Sequence, residues 1–315
     1  MQIMRGRFAP SPTGEIHLGN VWTALLAWLQ VRSAGGTMVL RIEDLDPDRS
    51  RSIYTDRLMA DMKWLGLDWD EGPDVGGRYG PYSQDERREL YQSALDSLTA
   101  AGLVYPCYCT RAELAASAPH IGENERVYPG TCRQCQIDAA RRTARRPALR
   151  LAVPSEEVAF VDLHYGPIIQ DLALEVGDFV VRRSDGVHAY QLAVVIDDAA
   201  MEITHVLRGQ DLLSSTPRQL LLYRLLKLKA PAFTHVPLLV DSEGYRLSKR
   251  QQALSVAVLR NNGIKPEAII GYLAYKANLI DVRQPLKATE LIDCFDVGKL
   301  PVAPVLADNC DICHL

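Results

Sequence analysis

Apolar positions recur at helical spacing over residues 21–33, 51–65, 84–101, 216–226, 256–262 and 266–277, and this predicts helices there. Shorter apolar runs bounded by turn residues predict strands over 3–8, 37–42, 148–153, 157–162, 179–182, 192–197, 202–208 and 236–240. Pro217 falls in the first turn of its helix, where a missing N–H costs nothing. Strand 3–8, helix 21–33 and strand 37–42 form a β-α-β unit, so the chain reads as α/β with a parallel sheet. Short strands replace the alternation over 107–189, which reads as an insertion. Residues 302–315 carry no pattern, and no internal repeat or low-complexity segment is present.

Composition narrows the class. A 47% hydrophobic content over 315 residues suffices for about two domains with a sizeable core. Residues 1–7 lack the apolar stretch of a signal peptide, and no apolar run reaches the ~18–20 residues that span a bilayer. A cytoplasmic location with no membrane partner is therefore expected. The net charge of −4 argues against a generic polyanion binder. Any nucleic-acid contact would need local patches such as Arg141-Arg142, Arg145-Arg146 and Arg150, or Arg182-Arg183, each of which equally suits a solvated face.

Two loops carry the candidate chemistry. Residues 7–20 read Arg7-Phe8-Ala9-Pro10-Ser11-Pro12-Thr13-Gly14-Glu15-Ile16-His17-Leu18-Gly19-Asn20, between a strand and a helix. Strand, tight loop and helix start is the arrangement in which a nucleotide meets backbone N–H groups. Pro10 and Pro12 stiffen the loop, Gly14 and Gly19 permit close approach, and His17 can donate to a phosphate. Arg246-Leu247-Ser248-Lys249-Arg250 follows strand 236–240 and the turn Asp241-Ser242-Glu243-Gly244. A lysine there can meet a transferring phosphate as a compact charge.

Together these loops resemble the "HIGH" and "KMSKS" regions of class I glutamyl-tRNA synthetases. Arg41-Ile42-Glu43-Asp44-Leu45-Asp46 and Arg208-Gly209-Gln210-Asp211-Leu212-Leu213-Ser214-Ser215-Thr216-Pro217-Arg218-Gln219 match the same family, in the correct order. Only residues 251–315 follow Arg250, too few for an anticodon-binding domain of ordinary size. The resemblance is thus to the truncated branch, the glutamyl-queuosine tRNA(Asp) synthetases. It implies a Rossmann-type catalytic sheet with its first half at 1–106 and its second half at 190–250, ending in the lysine loop. It further implies a zinc-bearing insertion at 107–189, a small helical stem-contact-like region at 251–315, and no anticodon-binding domain.

The resemblance also implies roles. ATP would activate L-glutamate without tRNA, and the glutamyl group would pass to the cyclopentenediol of queuosine in the anticodon of tRNA(Asp). His17 and Lys249 would be catalytic, and His17, Gly19, Ser248 and Lys249 would hold ATP. Arg7 would fork onto a glutamate carboxylate and Glu43 would accept its ammonium. Phe8, Ala9, Pro10, Ser11, Tyr190 and Arg208 would complete the glutamate site. Magnesium is implied by ATP chemistry, without a dedicated carboxylate cage in the sequence. Asn20 replaces the last histidine of HIGH, and Arg250 the last small residue of KMSKS. A monomer is expected. The rival readings are a truncated synthetase that charges a tRNA 3′ end and a silent tRNA-binding paralogue.

Cys107-Tyr108-Cys109 and Cys132-Arg133-Gln134-Cys135 lie close in sequence and suggest tetrahedral zinc rather than disulfides. Spacing alone favours four thiolates. The family pattern, Cys-x-Cys … Tyr-x-x-x-Cys, instead implies one structural zinc on Cys107, Cys109, Tyr128 and Cys132, with Cys135 the rival for the fourth position. Cys310-Asp311-Ile312-Cys313-His314 formally matches a haem-attachment sequence, which the expected absence of export argues against; adventitious metal binding is the alternative.

Overall fold

The computed structural model describes residues 3–110, 112–114, 127–134, 145–247 and 254–307. It opens with strand β1 (Arg5–Phe8), helix α1 (Leu18–Ser33) and strand β2 (Thr37–Leu40). β1 and β2 pair in parallel, Arg5 opposite Thr37 through Phe8 opposite Leu40. Helix α1 begins three residues earlier than its apolar spacing predicts, because His17 caps it. Leu18, Trp22, Leu25, Leu29 and Val31 are all buried, so α1 is a core helix rather than a surface one. Gly6 permits its close approach: a Cβ there would stand 2.3 Å from Val31 Cγ2. Helices α2 (Ser52–Trp64) and α3 (Arg88–Ala100) follow, the latter preceded by a 3-10 turn, Gln84–Arg87.

The next strands are β3 (Val104–Cys107), β4 (Ala148–Leu151), β5 (Glu157–Asp162), β6 (Gly166–Asp171) and β7 (Phe179–Arg182). β3, β4 and β7 form an antiparallel sheet, and β5 and β6 a hairpin. Asp162 shapes the hairpin turn, accepting the N–H of His164 (3.0 Å) and Tyr165 (2.9 Å). β6 was not legible in the sequence, because Pro167 and its polar residues break the alternation.

The segment 192–197 corrects the sequence reading: it belongs to helix α4 (Tyr190–Ala200), not to a strand. Its Leu-Ala-Val-Val-Ile run has strand propensity, but a short apolar run does not distinguish a strand from a buried helix. Leu192, Ala193, Val194 and Val195 are all buried, so tertiary burial overrides propensity. Strand β8 (His205–Gly209), helix α5 (Thr216–Leu225) and strand β9 (Ala232–Val236) complete the main sheet. Its order is β2-β1-β8-β9, parallel throughout. The strand expected over 236–240 is likewise corrected. β9 ends at Val236, and Pro237, which lacks an N–H for the ladder, separates it from the short β10 (Leu239–Val240).

Helices α6 (Val256–Asn261) and α7 (Pro266–Lys276) pack against the α1 side. The last strand, β11 (Val305–Leu306), pairs in parallel with β10, although its sequence carries no strand pattern. No described helix is long and apolar enough to cross a membrane. The expected basic patch at Arg141-Arg142 and the tail at Cys310, Cys313 and His314 lie outside the described residues.

Burial holds His188, His205 and His235 below the ordinary histidine value, with Arg182 and Arg88 adding to the effect at His188. As pH falls below about 6.5, the unfolded chain takes up protons that the folded chain refuses. This stability contribution is full above that value and is lost as pH falls through the lowered folded values. Urea unfolding should therefore show less stability at about pH 5.5 than at pH 7.5. An unchanged or greater stability at the lower pH would contradict the assignment.

Candidate active site

A cavity of about 530 Å³ opens beyond the C-terminal ends of β1 and β8. The chain runs from β1 to β2 on one side, while β8 and β9 lie on the other. This is the switch point at which parallel sheets leave a crevice. The structure brings Arg7, Phe8, Ala9, Pro10, Ser11, His17, Gly19, Glu43, Tyr190 and Arg208 to its lining. Thr13, Trp22, Leu212 and Leu247 also line it and were not foreseen. Ser248 and Lys249 lie outside the described residues, but both flanks of their segment are placed. Leu247 lines the cavity, and Val256 donates its N–H to Ile16 O at 3.0 Å, next to His17.

The helix start organises His17. Its Nδ1 accepts the Gly19 N–H at 3.1 Å, while its own N–H is accepted by Asn20 Oδ1 at 3.1 Å. This reciprocal capping box satisfies donors at the end of α1 and leaves the ring proton on Nε2. Asn20, the departure from the family pattern, is thus a capping residue. Gly19 is required by contact: a Cβ would stand 2.9 Å from His17 Cε1.

Glu43 reaches the cavity because Arg41 donates its N–H to Phe8 O (3.0 Å) and Glu43 to Pro10 O (3.0 Å). The run after β2 is therefore stitched to the loop after β1. Behind them lies a buried charge network. Arg41, fully buried, contacts Asp198 (2.6 Å), Glu43 (3.2 Å) and Asp197 (3.6 Å). Arg7 Nε reaches Asp198 at 3.4 Å, and Arg87 Nε reaches Asp197 at 2.6 Å. Tyr91 and Gln84 also donate to Asp197. Three guanidiniums thus meet three carboxylates. Burial pushes Asp198 up, but Arg41 and Arg7 outweigh it and hold the carboxyl below its usual range. At Glu43 burial prevails over the same two arginines and raises the value.

Arg208 differs. It is 4% exposed and contacts Tyr190 Oη (3.4 Å), Thr216 Oγ1 (2.8 Å), Leu212 O (3.4 Å) and His235 Nε2 (3.0 Å). Among the described residues it forms no ion pair with a carboxylate; Asp211 instead pairs with Arg246. A buried cation on a cavity wall without a carboxylate partner suits an anionic ligand.

The cysteine cluster lies apart from the cavity, beside the end of β3. Cys107, Cys109 and Cys132 bring their sulfurs within 4.8 Å of one another. Tyr128 Oη lies 3.5 Å from Cys107 Sγ and 3.6 Å from Cys109 Sγ, and the Cys109 and Cys132 sulfurs are 3.5 Å apart. Zinc bonds of ~2.3 Å in a tetrahedron set sulfurs roughly 3.8 Å apart, so a metal fits among these donors. Cys135, the rival ligand, lies outside the described residues. Arg150, read from sequence as a patch residue, is buried here: it stacks 3.8 Å over the Tyr128 ring and donates to Asp178 O at 2.7 Å. Arg183 pairs with Asp46 and Asp185, while Arg145 and Arg146 are exposed.

Asp162, Asp197, Asp198 and His235 were missed as site-supporting residues. Their one sequence signal is that each is a polar residue in an apolar run, which reads equally as a bend or a surface position.

The chain matches the family model of class I tRNA synthetases (E and Q), catalytic domain, over residues 3–309. It is 54% identical to the glutamyl-Q tRNA(Asp) synthetase of Symbiobacterium thermophilum, covering 95% of this chain and 94% of that protein. It is 52% identical to the protein of the same name from Nitratidesulfovibrio vulgaris, covering 96% and 95%. Glutamate–tRNA ligase 2 of Alkalilimnicola ehrlichii is 43% identical, covering 99% of this chain and 67% of the ligase. Among solved structures, a glutamate tRNA ligase from Elizabethkingia meningosepticum in complex with its amino acid is 29% identical. It superposes with a TM-score of 0.84 over 99% of this chain and 68% of that one.

Proposed function

The chain belongs to the class I tRNA synthetases of the glutamate and glutamine type, an aminoacyl-tRNA ligase, and from that premise we propose that it is a glutamyl-queuosine tRNA(Asp) synthetase. In this reading it activates L-glutamate with ATP, without tRNA, and then glutamylates queuosine in the anticodon of tRNA(Asp). The observation that carries the amino-acid half is the buried Arg208, without a carboxylate partner among the described residues, facing the same cavity as Arg7 and Glu43. Two guanidiniums and one carboxylate match the charges of an amino acid with an acidic side chain. The tRNA half is supported by the names of the two relatives above half identity.

Arg7 and Arg208 hold the substrate carboxylates, and Glu43 accepts the ammonium, with Phe8, Ala9, Pro10, Ser11 and Tyr190 closing the pocket. One glutamate carboxylate oxygen attacks the α-phosphorus; the new P–O bond replaces the bond to pyrophosphate, which leaves. His17 Nε2–H steadies phosphate charge, and Ser248 and Lys249 of the lysine loop add hydrogen bonding and positive charge to the phosphates, whose remaining charge a magnesium ion would offset. A hydroxyl of the queuosine diol then attacks the acyl carbon and AMP departs. Cys107, Cys109, Tyr128 and Cys132 would hold a zinc ion, which would supply a structural cross-link away from the cavity.

Radiolabelled glutamate with ATP should label queuosine-containing tRNA(Asp), and neither queuosine-free tRNA(Asp) nor tRNA(Glu). Label on tRNA(Glu) would instead identify 3′-end charging. No label on any tRNA, together with no glutamate-dependent ATP–pyrophosphate exchange, would identify a silent paralogue.

A further inference from the structure

Asp162 and His235 are fully buried, and neither lines the cavity. Asp162 ends β5 in the hairpin, whereas His235 lies in β9, directly opposite Arg208 of β8 in the parallel register. Asp162 Oδ2 lies 2.6 Å from His235 Nδ1, and His235 Nε2 lies 3.0 Å from Arg208 Nε. Thr216 Oγ1 accepts from Arg208 Nη2 at 2.8 Å and stands 3.2 Å from the same His235 nitrogen.

These contacts allow one protonation pattern. A carboxylate accepts, so Nδ1 carries the proton. The arginine Nε–H always donates, so Nε2 must be bare and accept it. The Phe233 ring, stacked on His235 at 6.2 Å, helps to fix the plane of the imidazole. Three groups from three strands are thus locked in series, as an orienting carboxylate locks a histidine tautomer in hydrolytic triads.

We propose that Asp162 and His235 form a positioning relay that aims the Arg208 guanidinium into the cavity, so that a hairpin residue outside the pocket sets the affinity for the substrate carboxylate. The relay rests on Arg208 being the carboxylate-binding group of the proposed function.

Asp162→Asn tests it. The amide oxygen can keep the His164 and Tyr165 N–H groups, which places the NH₂ where Oδ2 faced Nδ1. His235 must then carry its proton on Nε2, pointing at the Arg208 Nε–H. In glutamate-dependent ATP–pyrophosphate exchange, KM for glutamate should rise about tenfold to a hundredfold, the worth of a charge-assisted hydrogen bond. KM for ATP should stay within about twofold on the same grounds. Arg208→Gln should raise KM for glutamate at least as much. If Arg208→Gln raises it and Asp162→Asn does not, the relay is overturned. Should Arg208→Gln leave it unchanged, the carboxylate-binding role of Arg208 falls instead. Equal losses for both substrates in Asp162→Asn would mark a merely structural residue and also overturn the relay. If that variant does not fold, imidazole ¹⁵N spectra of the wild-type protein decide. His235 protonated at Nδ1 and bare at Nε2 supports the relay; the other tautomer, or a doubly protonated ring at neutral pH, overturns it.

Discussion

Asp198→Asn is expected to destabilise the protein by about 3–5 kcal/mol, the cost of removing one partner from a buried ion network. Asparagine keeps the volume and can still accept a hydrogen bond from Arg41. It removes one of three negative charges that balance Arg7, Arg41 and Arg87. Arg41 is fully buried, and its closest charged contact is Asp198 at 2.6 Å, so water cannot replace the lost charge. Arg87 already shares Asp197, leaving Arg41 mainly Glu43. Glu43 would then be drawn toward Arg41, away from its proposed ammonium-binding position, and Arg7 would lose the anchor on Nε. Urea unfolding should report the stability loss, and glutamate KM should rise in whatever fraction remains folded. A loss below about 1 kcal/mol, the value of an ordinary exposed pair, would mean that the network is less dry than its burial indicates.

Cys132→Ser is expected to abolish stoichiometric zinc binding and to loosen the insertion. The cluster spans Cys107 at the end of β3 and the single turn Thr131–Gln134, so a metal would tie a strand to a turn with little core of its own. Structural zinc sites are worth ~10–16 kcal/mol in small finger peptides, enough to hold a local unit folded. Metal content measured by mass spectrometry should fall well below one per chain in Cys132→Ser. Limited proteolysis should then cut near Tyr128 faster than in the wild type. Cys135→Ser should keep its zinc, because the Tyr128 oxygen already sits 3.5 Å and 3.6 Å from the Cys107 and Cys109 sulfurs. Zinc retained in Cys132→Ser and lost in Cys135→Ser would reverse the assignment. Glutamate-dependent pyrophosphate exchange should be much less affected than zinc content, since the cluster lies apart from the cavity.

The parts of this protein that were legible in sequence are local. The 7–20 loop between a strand and a helix announced itself by residue type and spacing, whereas the Arg41–Glu43 pair and the Arg208 segment were legible only through the ordered motifs of the family that the chain resembles. The β-α-β alternation announced a parallel sheet. Each depends on neighbours along the chain, on turn chemistry and on the apolar period, which a linear reading can follow. The 192–197 segment was misread because its period is ambiguous and only its packing against neighbouring elements makes it a helix. β11 had no pattern to read, since its pairing with β10 is a contact between remote segments.

By itself, then, the sequence determined the opening β-α-β unit and most of the helices, the residues that could carry the chemistry, and the sulfur ligands that could hold a metal. Only the tertiary structure decided which charges are compensated. Asp198 meets Arg41 across 157 residues, and Asp162 meets His235 across 73. Whether such a residue is a solvated surface group or a buried anchor depends on the dielectric around it and on which charges fold beside it. Both are properties of the packed chain, because water screens these groups until distant elements exclude it.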